Sequence, residues 1–374
     1  MLDLYEIRKD LHRIPELGFE EVKTVNYILS VLNKYSCLKI HTFKFPGIIA
    51  EYSHWKGKYK LFRADLDALP IHEKTNCDFQ SEHPGKMHAC GHDIHLTVLI
   101  GLIERVIENN VKENILFLFQ PAEEGKGGAQ EILKTGILDK YDIEEVFALH
   151  VSGKLPVGAI SSKAGIFFAN TEEFDVLIKG KDAHVAFPEN GIDALNSGNE
   201  YYRTVINRIK QNFTIPRSII CAFGKMTAGK VRNAVASECK LEGTFRTFFK
   251  DDREKIKGIL ERTASEISKK NGVKCELKYL SNYSAVKNNK FLYDKLKQNC
   301  ATLNYKFAEA EAVLAGEDFG FLTDKYKGLL FWLGARGDKV FDLHSSSFLP
   351  DKKAIDVGID VLASFLRKSE NKIG

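Results

Sequence analysis

A chain of 374 residues has room for two or three domains and at least one sizeable core. Its 54 Lys and Arg against 50 Asp and Glu leave a formal charge of +4 without a long basic block, so the expected partner is a small molecule and not nucleic acid. The seven cysteines are scattered and form no CxxC pair, which argues against a disulfide framework or zinc ribbon and for a reducing cytoplasm. The charged N-terminus and the short apolar runs, none much longer than "LTVLIGLI", give no expectation of export or membrane anchoring.

In chain order, Leu4 to Leu11 and Val22 to Leu32 have helical spacing, "KYKLFRAD" and "NILFLFQ" read as strands, and "HLTVLIGLIERVIENN" between them reads as a helix. "EEVFALHV" follows as another short buried strand. This alternation predicts an α/β fold with a mostly parallel sheet flanked by helices. From 171 the order becomes "TEEFDVLIKG" (strand), Ile192 to Lys210 (helix), "RSIICAFGKM" and "SECKLEGTFRT" (strands), "DDREKIKGILERTASEISKKNG" (helix) and "VKCELKYL" (strand). That is βαββαβ, the ferredoxin-like split unit. Helical "KFLYDKLKQNCATL", strand-like "GLLFWLGA" and a terminal helix from Lys353 to Lys368 then restore the α/β character. The expected organisation is one domain over 1–170 and 283–374, interrupted by an inserted lid or dimerisation domain over 171–282.

Ligands of open parallel sheets gather beyond the carboxyl ends of the strands. Asp65 and Asp67 stand at one such end, Glu123 and Glu124 at another, and His150 at a third; packing alone gives no reason to seat charges there. Beside them, "MHACGHDIH" has three readings. Cys90 could be a nucleophile with His92 or His95 as base, but that leaves the glutamate pair unexplained. A purely structural turn needs no such density of ionisable groups. Metal binding accounts for more, because the small Gly91 lets Cys90 and His92 converge, and thiolate with imidazole suits zinc and its neighbours.

Taken with "HRIPELGFEE", "RADLDALPI", "FLFQPAEEGKGGA", "ALHVSGKLPVG", "GEDFG", "FWLGA" and "LHSSSFLP", the chain resembles the amidohydrolase branch of the dinuclear-metal aminoacylase and carboxypeptidase superfamily from about residue 5 to 365. The resemblance implies two divalent ions held by Cys90, His92, Glu124, His150 and His344, with zinc expected and manganese, cobalt or nickel as alternatives. Glu123 is then the general base, and Asp65 the second acidic catalytic residue, with Asp67 its rival and a turn-forming role open for Asp67. His184 is implied as an oxyanion donor reaching across a homodimer, although Asp182, Ala183 and Glu189 depart from the usual surroundings of that histidine. Asn233 and Arg246 are candidates for gripping a substrate carboxylate, with a structural ion pair as the alternative for Arg246.

His12, His41, His54, His72 and His83 are expected to be solvated or locally bonded, and His88 and His95 to stand behind the ligands at most. The implied reaction is removal of a small acyl group, acetyl foremost, from the amine of an amino acid, with N-acetyl-L,L-diaminopimelate as the expected substrate. Hippurate-like N-acyl-amino-acid hydrolysis and carboxypeptidase activity are the alternatives. Two rivals differ in kind. A non-catalytic relative would lack a ligand or the base, and none is missing. "GKMTAGKV" has the GxxxxGK spacing of a phosphate loop, but Val231 replaces the required hydroxyl and a strand, not a helix, is expected to follow.

Overall fold

The computed structural model describes residues 2–213, 219–337 and 339–366 and divides into two compact units. The larger comprises 1–167, 286–311 and 318–374, and the smaller 168–285 with 312–317. The segment 312–317, assigned to the larger domain from sequence, thus packs with the smaller unit. The cause is visible in its backbone: the Ala315 carbonyl accepts from the Ala169 N–H and the Leu314 carbonyl from the Arg246 guanidinium.

In the larger unit four strands run parallel at the centre of a ten-stranded sheet: Asn114–Gln120, Lys58–Asp65, Asp142–Pro156 and Lys327–Arg336, in that spatial order. Asn114–Gln120 is buried at every residue, and Lys58–Asp65 becomes buried toward its C-terminal end, the pattern of strands covered on both faces. The third strand is 15 residues long, well beyond the "EEVFALHV" expected. Lys39–Thr42 and Ile48–Tyr52 add an antiparallel edge that the sequence reading did not anticipate, being too short to show a period. Helix His92–Glu108 is buried along most of its surface, as its continuous run of Ile, Leu and Val demands. The first helix, Leu4–Arg13, starts where the Asp3 carboxylate accepts the N–H groups of Tyr5 and Glu6. The last helix spans Ala354–Ala363; Lys368 lies outside the described residues. Among the described residues no helix is long and apolar enough to cross a membrane.

The smaller unit is a four-stranded antiparallel sheet in the order Lys274–Tyr283, Asn170–Lys179, Glu238–Thr247, Ile219–Ala228. The strand expected from Arg217 is described from Ile219 onward. Helices Ala194–Asn212 and Lys250–Asn271 bury Tyr201, Val205, Ile256 and Leu260 against Phe174, Val176 and Leu241 of the sheet. The βαββαβ connectivity and strand order are those of the ferredoxin-like split unit. The phosphate-loop rival fails here. Gly224 and its neighbours are part of the Ile219–Ala228 strand, and the chain after Lys230 runs into the Glu238–Thr247 strand, so no helix N-terminus is offered to a phosphate.

Candidate metal centre

Because the four central strands are parallel, their C-terminal ends lie on one edge. Asp65 pairs with Gln120, Arg63 with Ala148 and His150 with Trp332, which brings Asp65, the loop after Gln120 and His150 level with one another. Cys90 and His92 enter the same edge from the start of helix His92–Glu108. The turn between them requires Gly91, which sits at φ +82° with an added Cβ overlapping the Val151 side chain. His344, also at positive φ (+65°), is tied by its N–H to the Ala89 carbonyl (2.9 Å).

The donor atoms fall into overlapping groups, each within 4.8 Å: Cys90, His92 and His150; Cys90, Glu124 and His344; His92, Glu123 and Glu124. Cys90 Sγ lies 3.3 Å from His150 Nε2, and His344 Nε2 lies 3.2 Å from Glu124 Oε1. Cys90 and His92 each belong to two of the groups, which joins them into one cluster. His92 Nε2 is buried without a hydrogen-bond partner, which in a native interior calls for a ligand, and Glu124 Oε1, likewise buried, has the His344 imidazole beside it. The rings already point the right way. His92 Nδ1 donates to the Asp67 carbonyl (2.8 Å) and His150 Nδ1 to the Val151 carbonyl (2.9 Å), so both Nε2 atoms face the donor cluster.

The electrostatics fit a cation and disfavour a nucleophile. Burial, reinforced by the charges of Glu124 and Glu123, pushes the Cys90 thiol well above its ordinary range, whereas a nucleophilic cysteine needs the opposite shift. Burial drives His150 down to about 3, leaving it a neutral donor. For His92 burial works the other way from its neighbours, and the Asp65 and Asp67 carboxylates prevail, raising it to about 10. Cys90 and His92 thus hold protons that a bound cation would displace.

Around the donors, Asp65 accepts from His95 Nδ1 (2.6 Å) and from Arg63 (2.7 Å), and lies 3.7 Å from His92 Nε2. Burial opposes its ionisation, but His92, His95 and Arg63 hold it well below the usual carboxylate range. His95 cannot be a ligand, since its Nε2 accepts the Val151 N–H (3.0 Å). Asp67 takes a different part: its two oxygens accept the backbone N–H groups of Glu123 (3.1 Å) and Glu124 (2.9 Å). It is more than a turn residue.

Two contributors escaped the sequence reading. Glu21 accepts the Ala122 N–H (2.8 Å), so three successive N–H groups of the glutamate loop end on two buried carboxylates. Asp318, in "GEDFG", binds Arg63 (2.7 Å), Gln120 and the Ala129 N–H (2.9 Å). Only a fold could connect these positions, which lie 101 to 255 residues apart.

Among the histidines set aside, His54 and His83 hydrogen-bond to the carbonyls of Val111 and Pro15, 57 and 68 residues away along the chain. His12 and His41 depart from expectation, each meeting a carboxylate: His12 those of Asp93 and Glu73, His41 that of Glu51. His88 is buried with neither ring nitrogen hydrogen-bonded, and burial drives it to about 3. The remaining predicted residues belong to the smaller unit. His184 is exposed and its Nδ1 accepts the Ala186 N–H (3.1 Å), while the Val185 N–H donates to the Asn233 carbonyl (3.1 Å), making His184 and Asn233 neighbours. Arg246, half-buried, donates to the Leu314 carbonyl (2.8 Å), and among the described residues it makes no ion pair of the kind considered for it.

Comparison with known proteins bears on what this edge does. The chain is 37% identical to an N-acetyldiaminopimelate deacetylase of Bacillus velezensis, covering 98% of this chain and 99% of the relative, and 37% identical to that of Bacillus subtilis, covering 97% of each. Among solved structures it is similar to a Bacillus subtilis dinuclear metal-binding peptidase of the M20 family, with a TM-score of 0.82, 31% identity and 96% of both chains covered. Residues 61–368, which carry all of the donors described above, match the model of peptidase family M20/M25/M40, and to that family this chain belongs.

Proposed function

We propose that this enzyme deacetylates N-acetyl-L,L-diaminopimelate, releasing L,L-diaminopimelate and acetate on the route to lysine. The observation that carries the reading is the convergence of Cys90, His92, Glu124, His150 and His344, with Glu123 beside them, in a chain that matches the deacetylases over their whole length. The donor set would suit two divalent cations held by Cys90, His92, Glu124, His150 and His344, and its thiolate and imidazole character favours zinc over manganese, cobalt or nickel. Such a pair, when bound, polarises the amide carbonyl and lowers the pKa of a water.

The chain's own residues do the rest. Glu123, buried and fixed through its N–H by Asp67, takes the proton of the attacking water and delivers it to the departing amine nitrogen. Asp65 acts as a positioning residue, holding His92 and His95 in place. His184 is assigned the donor to the developing oxyanion, and Asn233 and Arg246 the substrate carboxylate. We further propose a cytoplasmic homodimer. The cysteines, all of them free thiols, favour a reducing compartment, and the edge strand Ile219–Ala228 exposes Ile220 and Met226 as a surface for a second copy; a single-chain mass by sedimentation would rule the dimer out.

The test is a panel of N-acyl amino acids and dipeptides given to the metal-loaded enzyme. N-acetyl-L,L-diaminopimelate is expected to lead in kcat/KM. A preference for hippurate or for a dipeptide would replace this reading with N-acyl-amino-acid hydrolysis or carboxypeptidase activity. Glu123→Gln is expected to lower kcat about 10²–10⁴-fold at unchanged metal content; full turnover in that variant would refute the assignment of the base.

A further inference from the structure

Away from the centre just described, a second set of metal-ligating side chains meets where helix Leu4–Arg13 faces the loop 73–81. His12 Nε2, Glu73 Oε1 and Cys77 Sγ lie within 4.8 Å of one another. The His12–Glu73 separation is 3.1 Å and the Cys77–Glu73 separation 3.8 Å. Tetrahedral zinc with ordinary bond lengths to nitrogen, oxygen and sulfur has N···O and S···O edges of about 3.4 and about 3.6 Å, so the two edges that meet at Glu73 Oε1 already stand within a few tenths of an ångström of that arrangement.

The surroundings are those of a built ligand and not of a chance surface cluster. His12 is fully buried, and its Nδ1 donates to the buried Asp93 carboxylate (2.8 Å), itself bound to Arg8 (2.8 Å). A carboxylate on the far nitrogen is the arrangement that orients a histidine toward a metal through Nε2. The Phe79 ring packs edge-on against His12 and limits solvent on that side, while Cys77 is half-exposed and leaves a path for entry and a fourth position for water. The other Glu73 oxygen is fixed by the Ser81 N–H (2.7 Å), which orients the carboxylate, while Oε1 also accepts the Thr75 hydroxyl, a hydrogen bond that a bound cation would share or displace.

We infer that His12, Glu73 and Cys77 form a third cation site, distinct from the catalytic pair, that takes a zinc-class ion. Binding replaces the protons on His12 Nε2 and Cys77 Sγ, releasing them to solvent. Its effect is structural: the ion joins the first helix to the 73–81 loop and, through His12 and Asp93, to the first turn of the helix that begins with His92.

The test counts ions in the intact chain. Wild type and Cys77→Ala, each dialysed against micromolar zinc, are analysed for zinc per chain by elemental mass spectrometry. Three in the wild type and two in the variant are expected; equal numbers in the two proteins overturn the site. A second measurement does not depend on the variant. Raising zinc from two to three equivalents is expected to slow alkylation of Cys77 at least tenfold while leaving the exposed Cys37 unchanged, and equal Cys77 labelling at both zinc levels overturns it as well.

Discussion

Gly91 and Glu21 show how single positions set the geometry of the catalytic edge. Gly91→Ala forces a side chain into a left-handed backbone position already filled by Val151, at a cost of about 1–3 kcal/mol. We expect a lower melting temperature and weaker metal retention, measured by thermal unfolding and metal analysis. Glu21 is raised to about 8, first by burial and then by the negative charge of Asp67. Folding therefore takes up a proton between pH 4.5, where the unfolded carboxyl titrates, and about 8. The stability tied to that proton is complete below the lower value and is lost as pH rises through the upper one. Glu21→Gln is expected to flatten this fall in denaturant titrations of the chelator-treated protein across pH 5 to 9; an unchanged slope would contradict the shift.

At the level of elements, the strongest periodic segments were legible and the short ones were not. "KYKLFRAD" and "NILFLFQ" form strands with the expected ends, and Leu4–Arg13, Lys290–Thr302 and the helices of the smaller unit form where spacing places them. Four-residue Lys39–Thr42 and Lys306–Glu309 carry too little pattern to stand out and are strands because neighbours supply their hydrogen bonds. Local signals still carry energy. Asp193 caps helix Ala194–Asn212 by accepting the Asn196 N–H (3.0 Å), and Asp193→Ala is expected to destabilise the smaller unit by about 1 kcal/mol, read from hydrogen exchange of that helix. No change in its protection would show the cap to be idle.

Across the whole molecule, metal and fold are linked. His92 Nε2 is buried without a hydrogen-bond partner, and a bound cation would complete it, so chelation is expected to lower the melting temperature by several degrees. Free cation at 100 times its Kd would correspond to about 2.7 kcal/mol. Scanning calorimetry with and without chelator checks this, and identical transitions would count against a preformed centre. Glu123→Gln, which keeps the ligands, is expected to melt with the same metal dependence as the wild type.

The sequence by itself determined the α/β class, the inserted βαββαβ unit and the family, because hydrophobic period and local motifs are properties of neighbouring residues. It set Glu123, Glu124 and His150 at strand ends for the same reason, while Cys90, His92 and His344 were proposed as ligands through the motifs that carry the family resemblance. What only the tertiary structure decided is which carboxylate does what: Asp65 turns to His95 and Arg63, Asp67 to the glutamate loop, and Glu21 and Asp318 arrive from 101 and 255 residues away along the chain. Such partners are chosen by closeness in space after folding, and no spacing along a chain encodes that distance.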